Sequence, residues 1–406
     1  MKILHIIPSV DPKEGGVVQA LKTMIHGLSQ KSVHNEVLSL DNSTSLFLNN
    51  IDITVHAIGK ARGPWRYNKR LISWLITNLS YFDTVILHGL WLYPNYAAIK
   101  ALKKLKAQNI ETPKVFVMPH GMLDPYFQTA PGRRLKALRN KIYWQFIESS
   151  VISEAEGILF TSEEEMLLAA TTFKPYTPQR EYIVGLGVES PFLYQQKMTD
   201  AFVESCPGLN NAPYFLFISR IDPKKGVDML IKAYALAFKA LSQDINNLPI
   251  SGILPKLVIA GPGIDTPYGK SLQKLVAEDR ELMQYILFPG MLQGDAKWGA
   301  FYGCEAFILP SHQENFGIAV VEALACGKPV LISSQINIWR EIHEAGAGYI
   351  TEDTQKGVSK IFEFWSQSSY KQKMAMGRNA LYSYRKYFNV ETATAKLLKA
   401  LIGPHL

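Results

Sequence analysis

At 406 residues the chain is too long for one ordinary α/β core and suits two domains. Hydrophobic residues make up 47% of it and charged residues 19%, which excludes disordered and collagen-like classes. A formal charge of +8 favours an anionic partner, whether nucleotide, lipid surface or nucleic acid, without choosing among them. Cys206, Cys304 and Cys326 are widely spaced and form no Cys-x-x-Cys pair, so neither a disulfide framework nor a zinc site is expected, and a cytoplasmic, reducing setting fits.

The apolar run from Ile3 ends at Pro8 and is followed by Asp11, Lys13 and Glu14; it is too short for a signal-peptide core and reads as a buried first strand. No apolar stretch approaches the roughly 20 residues that span a bilayer. Short β-branched runs then alternate with helical patterns, predicting strands at 3–9, 35–40, 52–58, 83–89, 114–121, 157–163 and 180–187, with helices such as 64–80 and 96–108 between them. This is the pattern of a parallel, doubly wound sheet, and it assigns 1–190 to a first Rossmann-like domain. Residues 191–212 lose periodicity around Pro191, Pro207 and Gly208 and read as a linker with at most one short helix. A second alternation over 213–386 predicts strands at 214–221, 256–261, 285–290, 305–311 and 328–333, with helices at 226–241 and 318–326. Ligands of open parallel sheets bind beyond the carboxyl ends of the strands, so the fold class expected is two doubly wound domains facing a cleft, with the chemistry at strand ends.

The most informative strand end is Pro310-Ser311-His312-Gln313-Glu314-Asn315-Phe316-Gly317, which opens an apolar helix containing Glu322 and closing at Gly327-Lys328-Pro329. Gly317 lets backbone pass close to a ligand, and the free amides from Ile318 onward face the same way. Glu322 sits among Val320, Val321, Ala323 and Leu324, where a carboxylate needs hydrogen-bond donors that ribose hydroxyls can supply. A second element, Ser219-Arg220-Ile221-Asp222-Pro223-Lys224-Lys225-Gly226, places Arg220 and Lys225 where both can meet one anion; the alternative is a pair of solvated surface charges, which suits Lys224 better than Lys225. In the first domain, Gly15-Gly16 opens a helix after the first strand and reads equally well as a phosphate-approaching turn or a plain one. His120, in Pro119-His120-Gly121-Met122-Leu123-Asp124-Pro125, ends another strand, and His88 with Trp91 ends a third, as acceptor wall or as ordinary core. Gly290 and Met291 end a strand of the second domain.

Two glutamates separated by seven residues inside this Pro-Ser-x-x-Glu-x-Phe-Gly string resemble the signature of the group 1, or family 4, retaining glycosyltransferases of two-Rossmann GT-B architecture. The resemblance implies that Glu314 holds donor-sugar hydroxyls beside the Asn315, Phe316, Gly317 and Ile318 backbone and that Glu322 binds the nucleotide ribose. It assigns Arg220 and Lys225 to the leaving diphosphate, Gly290 and Met291 to the base, and His120 to the sugar near the reacting carbon. Gly15 and Gly16 are carried as donor-binding, His88 and Trp91 as acceptor contacts. Ser219 stands where the family most often has glycine, and Val184-Gly185-Leu186-Gly187-Val188-Glu189 departs from the family's Asn-Gly-Val-Asp-like entry to the linker. A final helix at 387–406 is expected to return to the first domain, as in that architecture.

No Asp-x-Asp pair is present, so no metal and no other cofactor is expected, the two cations taking the metal's electrostatic part. The two glutamates are not a hydrolase pair, which would sit about 5 Å apart across one glycosidic bond. The partners expected are a nucleotide diphosphate sugar and a glycan or lipid-linked acceptor of envelope or exopolysaccharide assembly. Lys100, Lys103, Lys104 and Lys106, and Arg133, Arg134, Lys136, Arg139 and Lys141 before Ile142-Tyr143-Trp144, suit either an anionic inner-membrane surface or a solvated face. Nucleic acid is not expected, since no binding motif accompanies the charge. A GT-B epimerase and a catalytically silent nucleotide- or glycan-binding protein are the alternatives; the silent protein would have lost one of Arg220, Lys225, Glu314 and Glu322.

Overall fold

The computed structural model describes residues 1–130, 132–244 and 254–403, the side chains of 242–244 excepted. It divides into two compact units, Met1–Gly187 with Val390–Leu406, and Val188–Asn389.

In the first unit the strands are β1 (Lys2–Ile6), β2 (His34–Ser39), β3 (Thr54–Ala57), β4 (Thr84–His88), β5 (Lys114–Met118), β6 (Gly157–Phe160) and β7 (Glu181–Ile183). They form one parallel sheet in the order β3-β2-β1-β4-β5-β6-β7, reversing direction of growth between β1 and β4. Both faces are covered, as parallel sheets require. Leu4, Ile6, Val85, Leu87, Val117 and Phe160 face one layer. Alternation sends Ile3, Ile86, Phe116 and Leu159 to the other, against Met24 and Leu28 of the Gly16–Gln30 helix and Leu397 and Leu401 of the Val390–Ile402 helix.

The second unit holds β8 (Tyr214–Ile218), β9 (Lys256–Ala260), β10 (Ile286–Gly290), β11 (Ala306–Leu309), β12 (Val330–Ser333) and β13 (Gly348–Thr351) in the order β10-β9-β8-β11-β12-β13, again parallel, with its switch point between β8 and β11. β13 escapes sequence reading because it is a four-residue edge strand, buried only at Thr351, and so lacks the apolar run that marks a central strand.

Residues 191–212 are not a plain linker. They contain the Gln196–Ser205 helix, whose Met198 and Phe202 are buried and whose backbone is approached closely by Gly299. The helix expected over 64–80 begins only at Leu71, because Arg62 and Tyr67 pair their backbones as a tight antiparallel turn (2.8 and 2.9 Å). The closing helix expected at 387–406 starts at Val390 after a π-helical turn, Tyr384–Phe388; its last expected residues, 404–406, lie outside the described residues.

The Val390–Ile402 helix rests on the Gly16–Gln30 helix at Gly27. A Cβ there would collide with Thr394 Oγ1 and sit 2.8 Å from Val390 Cγ1. Gly27→Val is therefore expected to destabilise the first unit by about 1–3 kcal/mol through overpacking; thermal denaturation checks this, and an unchanged melting temperature would show that the two helices separate without cost.

Candidate functional site

Four strand ends of the second unit converge. Following β8, Asp222 caps the 3₁₀ turn Pro223–Lys225 by accepting from Lys224 N (3.0 Å), and this turn buries Lys225 while leaving Arg220 exposed. The turn is stitched to the loop after β11: Ser311 Oγ donates to Lys224 O (3.1 Å), His312 N donates to the same carbonyl (2.8 Å), and Gly226 lies so close to Pro310 O that no side chain fits. Lys225 Nζ consequently meets Glu314 Oε2 in a short ion pair. Glu314 is held on both sides of its peptide, donating to Gln335 O and accepting from Asn337 N, each at 2.9 Å. Burial, then the Lys224 and Arg220 charges, pushes the Lys225 ammonium down, while Asp222 opposes that shift; the Glu314 carboxylate in contact with it favours the charged form.

Gly317 has φ of +75° and is the residue before the Ile318–Ala325 helix, which therefore starts with no side-chain cap. A side chain at 317 would be strained and would press on Val320, Ile336 and Glu314. Phe316 is buried, against Phe388 at 5.8 Å between ring centroids, and it is the backbone beside it that stays available. One turn into the helix, Glu322 accepts from Lys297 Nζ at 2.6 Å. The donor that a carboxylate among aliphatic residues requires is thus supplied by the protein itself, from the Gly294–Gly303 helix, through Oε1.

Sequence reading missed Lys297, whose helix carries no motif, and also the Gly261-Pro262-Gly263 loop after β9. That loop is pressed against the β8 loop: Ile221 N donates to Pro262 O (2.8 Å), and Gly261, at φ +138°, leaves no room for a Cβ beside Ser219 O. Its signal was present, since glycines flanking a proline at a parallel strand end mark a close backbone approach. Gly290 closes β10, accepting from Gly261 N (2.8 Å), and Met291 beyond it is exposed. Arg220, Lys225, Glu314, Glu322, Gly290, Met291 and the 315–318 backbone therefore belong to one carboxyl edge.

In the first unit, Gly15 and Gly16 precede and open the Gly16–Gln30 helix, with nothing within 4 Å of where their side chains would be. His88 and His120 sit at the ends of β4 and β5 and are hydrogen-bonded to each other, His88 Nδ1 to His120 Nε2 at 3.0 Å. His120 has φ of +53°, a conformation rare for a residue with a side chain. The next residue explains how it is held: Gly121 N donates to Glu165 Oε1 (2.5 Å), and this buried carboxylate also accepts from Thr161 N (2.7 Å) and Oγ1 (2.6 Å). Of the two readings of Trp91, acceptor wall or core, its placement is that of a core residue. Its side chain is buried in the core with Tyr143, Trp144 and Phe173, and its backbone N–H donates to Glu148 (3.2 Å), a fully buried carboxyl that burial pushes up to about 7.

Among the described residues no three His, Cys, Asp or Glu side chains cluster as metal ligands would, and no helix is long and apolar enough to cross a membrane. Basic residues of the Tyr93–Ala107 helix are partly engaged: Lys103 pairs with Glu154 at 2.7 Å.

Residues 207–381 match the family described as glycosyl transferases group 1. Among curated proteins, the chain is 25% identical over 229 residues to an uncharacterised glycosyltransferase of Methanocaldococcus jannaschii, covering 55% of this chain and 52% of that one. It is 24% identical over 216 residues to the O-antigen chain mannosyltransferase of Salmonella typhimurium, covering 53% and 52%. The chain spans about half the length of these curated relatives. Among solved structures, the Anabaena protein HepE in complex with UDP superposes with a TM-score of 0.72 at 17% identity over 99% of this chain and 100% of that one. A glycosyltransferase from Rickettsia africae gives 0.73 at 15%, covering 99% of each. At such identities the structures speak for the fold, and the sequence match speaks for the domain that carries the convergent edge. The chain has the GT-B fold, and its residues 207–381 are similar to the group 1 glycosyl transferases.

Proposed function

We propose that this chain is a retaining glycosyltransferase that moves a hexose-type sugar from a nucleotide diphosphate sugar to a glycan or lipid-linked acceptor in envelope or exopolysaccharide assembly. The observation that carries this reading is the convergence of Arg220, Lys225, Glu314 and Glu322 at the switch point between β8 and β11. An exposed guanidinium and a buried ammonium on one loop offer a diphosphate two charge-assisted partners and stabilise it as it leaves. Glu314, oriented by Lys225, takes sugar hydroxyls beside the uncapped amides of the Ile318–Ala325 helix. Glu322 keeps Oε2 for ribose while Oε1 stays on Lys297. His120 contributes a contact to the transferred sugar. The two cations supply the neutralisation that a divalent ion gives elsewhere, so turnover proceeds without metal.

Donor binding and turnover are expected in EDTA for one member of a panel of UDP-, GDP- and ADP-sugars, UDP-sugars being tried first because the Anabaena structure holds UDP. Arg220→Ala and Glu322→Ala are each expected to weaken binding by roughly tenfold or more. Failure of every donor to bind, or indifference to Arg220→Ala, would return the chain to the binding-protein alternative.

Lys225 shares its charge between Glu314 and, on this reading, the bound diphosphate. Lys225→Met is therefore expected to weaken nucleotide binding by roughly tenfold or more, since it removes a charge-assisted partner and leaves Glu314 uncompensated beside the anion. Titration calorimetry reads the affinity, and an unchanged affinity in this variant would place the diphosphate elsewhere.

A membrane-bound acceptor is supported by the Arg134–Tyr143 helix and the turn that continues it. Leu135, Leu138, Ile142 and Phe146 recur at helical spacing and are 85%, 58%, 54% and 78% exposed, flanked by Arg134, Lys136 and Lys141. An exposed apolar stripe edged with cations suits the interface of an anionic leaflet. Cosedimentation with phosphatidylglycerol vesicles is expected, with several-fold loss for Leu138→Glu combined with Phe146→Glu. Equal partition of both proteins, or a concentration-dependent dimer that the substitutions dissolve, would reassign the stripe to a protein contact.

A further inference from the structure

Four polar side chains cross the sheet of the first unit in a single file. Asn35 stands on β2, His5 on β1, His88 ends β4 and His120 follows β5, in the order in which the strands lie. Register explains the file. Asn35 is opposite Ile3, two residues before His5; His5 is opposite Ile86, two before His88; His88 is opposite Met118, two before His120. Each step advances by the period of a strand, so all four side chains share one face and run diagonally to the carboxyl edge. That face otherwise buries Ile3, Ile86, Phe116 and Met118.

The hydrogen bonds in this file have only one consistent direction. Asn35 Nδ2 donates to Val33 O (2.9 Å), which turns Oδ1 toward His5 Nε2 (3.1 Å). An amide oxygen only accepts, so His5 carries its proton on Nε2. A neutral ring holds one proton, and His5 Nδ1 is then a lone pair facing His88 Nε2 at 3.0 Å, which must donate. His88 Nδ1 is in turn a lone pair, and His120 Nε2, 3.0 Å away, must donate to it. Neutral rings are what burial enforces: His5 and His120 are pushed down to about 4, and His88 well below the usual imidazole value by burial and its two histidine neighbours. Adjacent ring centroids lie 5.3 Å apart and the planes are tilted by only 28° and 23°, as for nearly coplanar rings joined edge to edge by N–H···N bonds. His120 Nδ1 remains at its end with no hydrogen-bond partner among the described residues.

We propose that Asn35, His5 and His88 are positioning residues that lock His120 in the Nε2–H tautomer, making its Nδ1 lone pair a fixed acceptor for a substrate hydroxyl. A histidine free to change tautomer accepts or donates as the ligand requires. This one is committed to groups that donate, and so selects a hydroxyl over fluorine or an ether oxygen at the same position. Assigning that hydroxyl to a sugar rests on the transferase reading; the lock itself does not. The clamp on Gly121 by Glu165 holds the ring's backbone in place while the file sets its proton.

Long-range proton–nitrogen correlation spectra of the full chain, labelled at histidine and free of substrate, test the lock. All three rings are expected to be neutral at neutral pH, with Nε2 protonated and Nδ1 unprotonated. In Asn35→Leu and His5→Phe, His120 is expected to become a mixture of both tautomers. In turnover, the ratio of kcat/KM for the donor sugar to that for its fluorinated analogue should fall on the order of tenfold in these variants. Protonated Nδ1 in wild-type His120, or a His120 tautomer unchanged in both variants, would overturn the proposal. Should either variant fail to fold, the wild-type spectrum alone still decides the proton's place. Because that spectrum needs no substrate, an absence of glycosyl transfer would defeat the functional reading and leave the lock readable.

Discussion

A parallel sheet covered on both faces is largely apolar along its length and gathers most of its polar and charged groups where its strands run out, and the chemistry of both units depends on that constraint. Within β8, Phe215, Leu216 and Phe217 are fully buried, and within four residues of the strand's end come Arg220, exposed, and Asp222, capping a turn. β11 passes from Phe307 and Ile308 to Ser311 and Glu314 as abruptly. Ionic groups meet at that edge because a short step outward replaces a low-dielectric interior by loops whose backbone groups can satisfy them.

The two units use the edge differently. In the second, charges are brought together: Lys225 against Glu314, Glu322 against Lys297, with close glycine contacts at Gly226, Gly261 and Gly317 holding the loops that bear them. Ion pairs at partly buried sites are sensitive to removal of one member, which leaves the other uncompensated. In the first unit the edge is reached by neutral groups, the file from Asn35 to His120, and by buried carboxylates that bind backbone amides: Glu165 at Gly121 and Glu148 at Trp91. Both of these carboxylates hold loops in positive-φ conformations, at His120 and Trp91, which would otherwise relax. One unit thus offers fixed charge and the other a fixed hydrogen-bond direction.

Much of this was legible before folding. All seven strands of the first sheet and five of the six in the second follow from β-branched and apolar runs, which central strands need because both their faces are covered; β13, half exposed at an edge, leaves no such trace. The strand-end rule then pointed to Arg220, Lys225, Glu314 and Glu322 as a group. It pointed also to Trp91, read either as acceptor wall or as core, and the side chain lies in the core, since a strand end marks where the backbone emerges and not where a large apolar side chain turns. Residues 191–212 lost periodicity and read as a linker, yet the Gln196–Ser205 helix packs closely beside the Gly294–Gly303 helix, a contact between segments far apart in the chain.

What the sequence by itself determined is the pair of doubly wound sheets, the edge on which polar residues fall, and the string from Pro310 to Pro329 that resembles the group 1 glycosyl transferases, because these depend on local period and on spacing along one stretch of chain. What only the tertiary structure decided is partnership. Glu322 finds Lys297, Lys225 finds Glu314, and His5, lying mid-strand with no motif around it, joins Asn35 and His88 across three strands. The reason is physical: which side chains meet is set by strand order and register, and crossovers bring residues tens of positions apart to within a hydrogen bond, a length that no local pattern encodes.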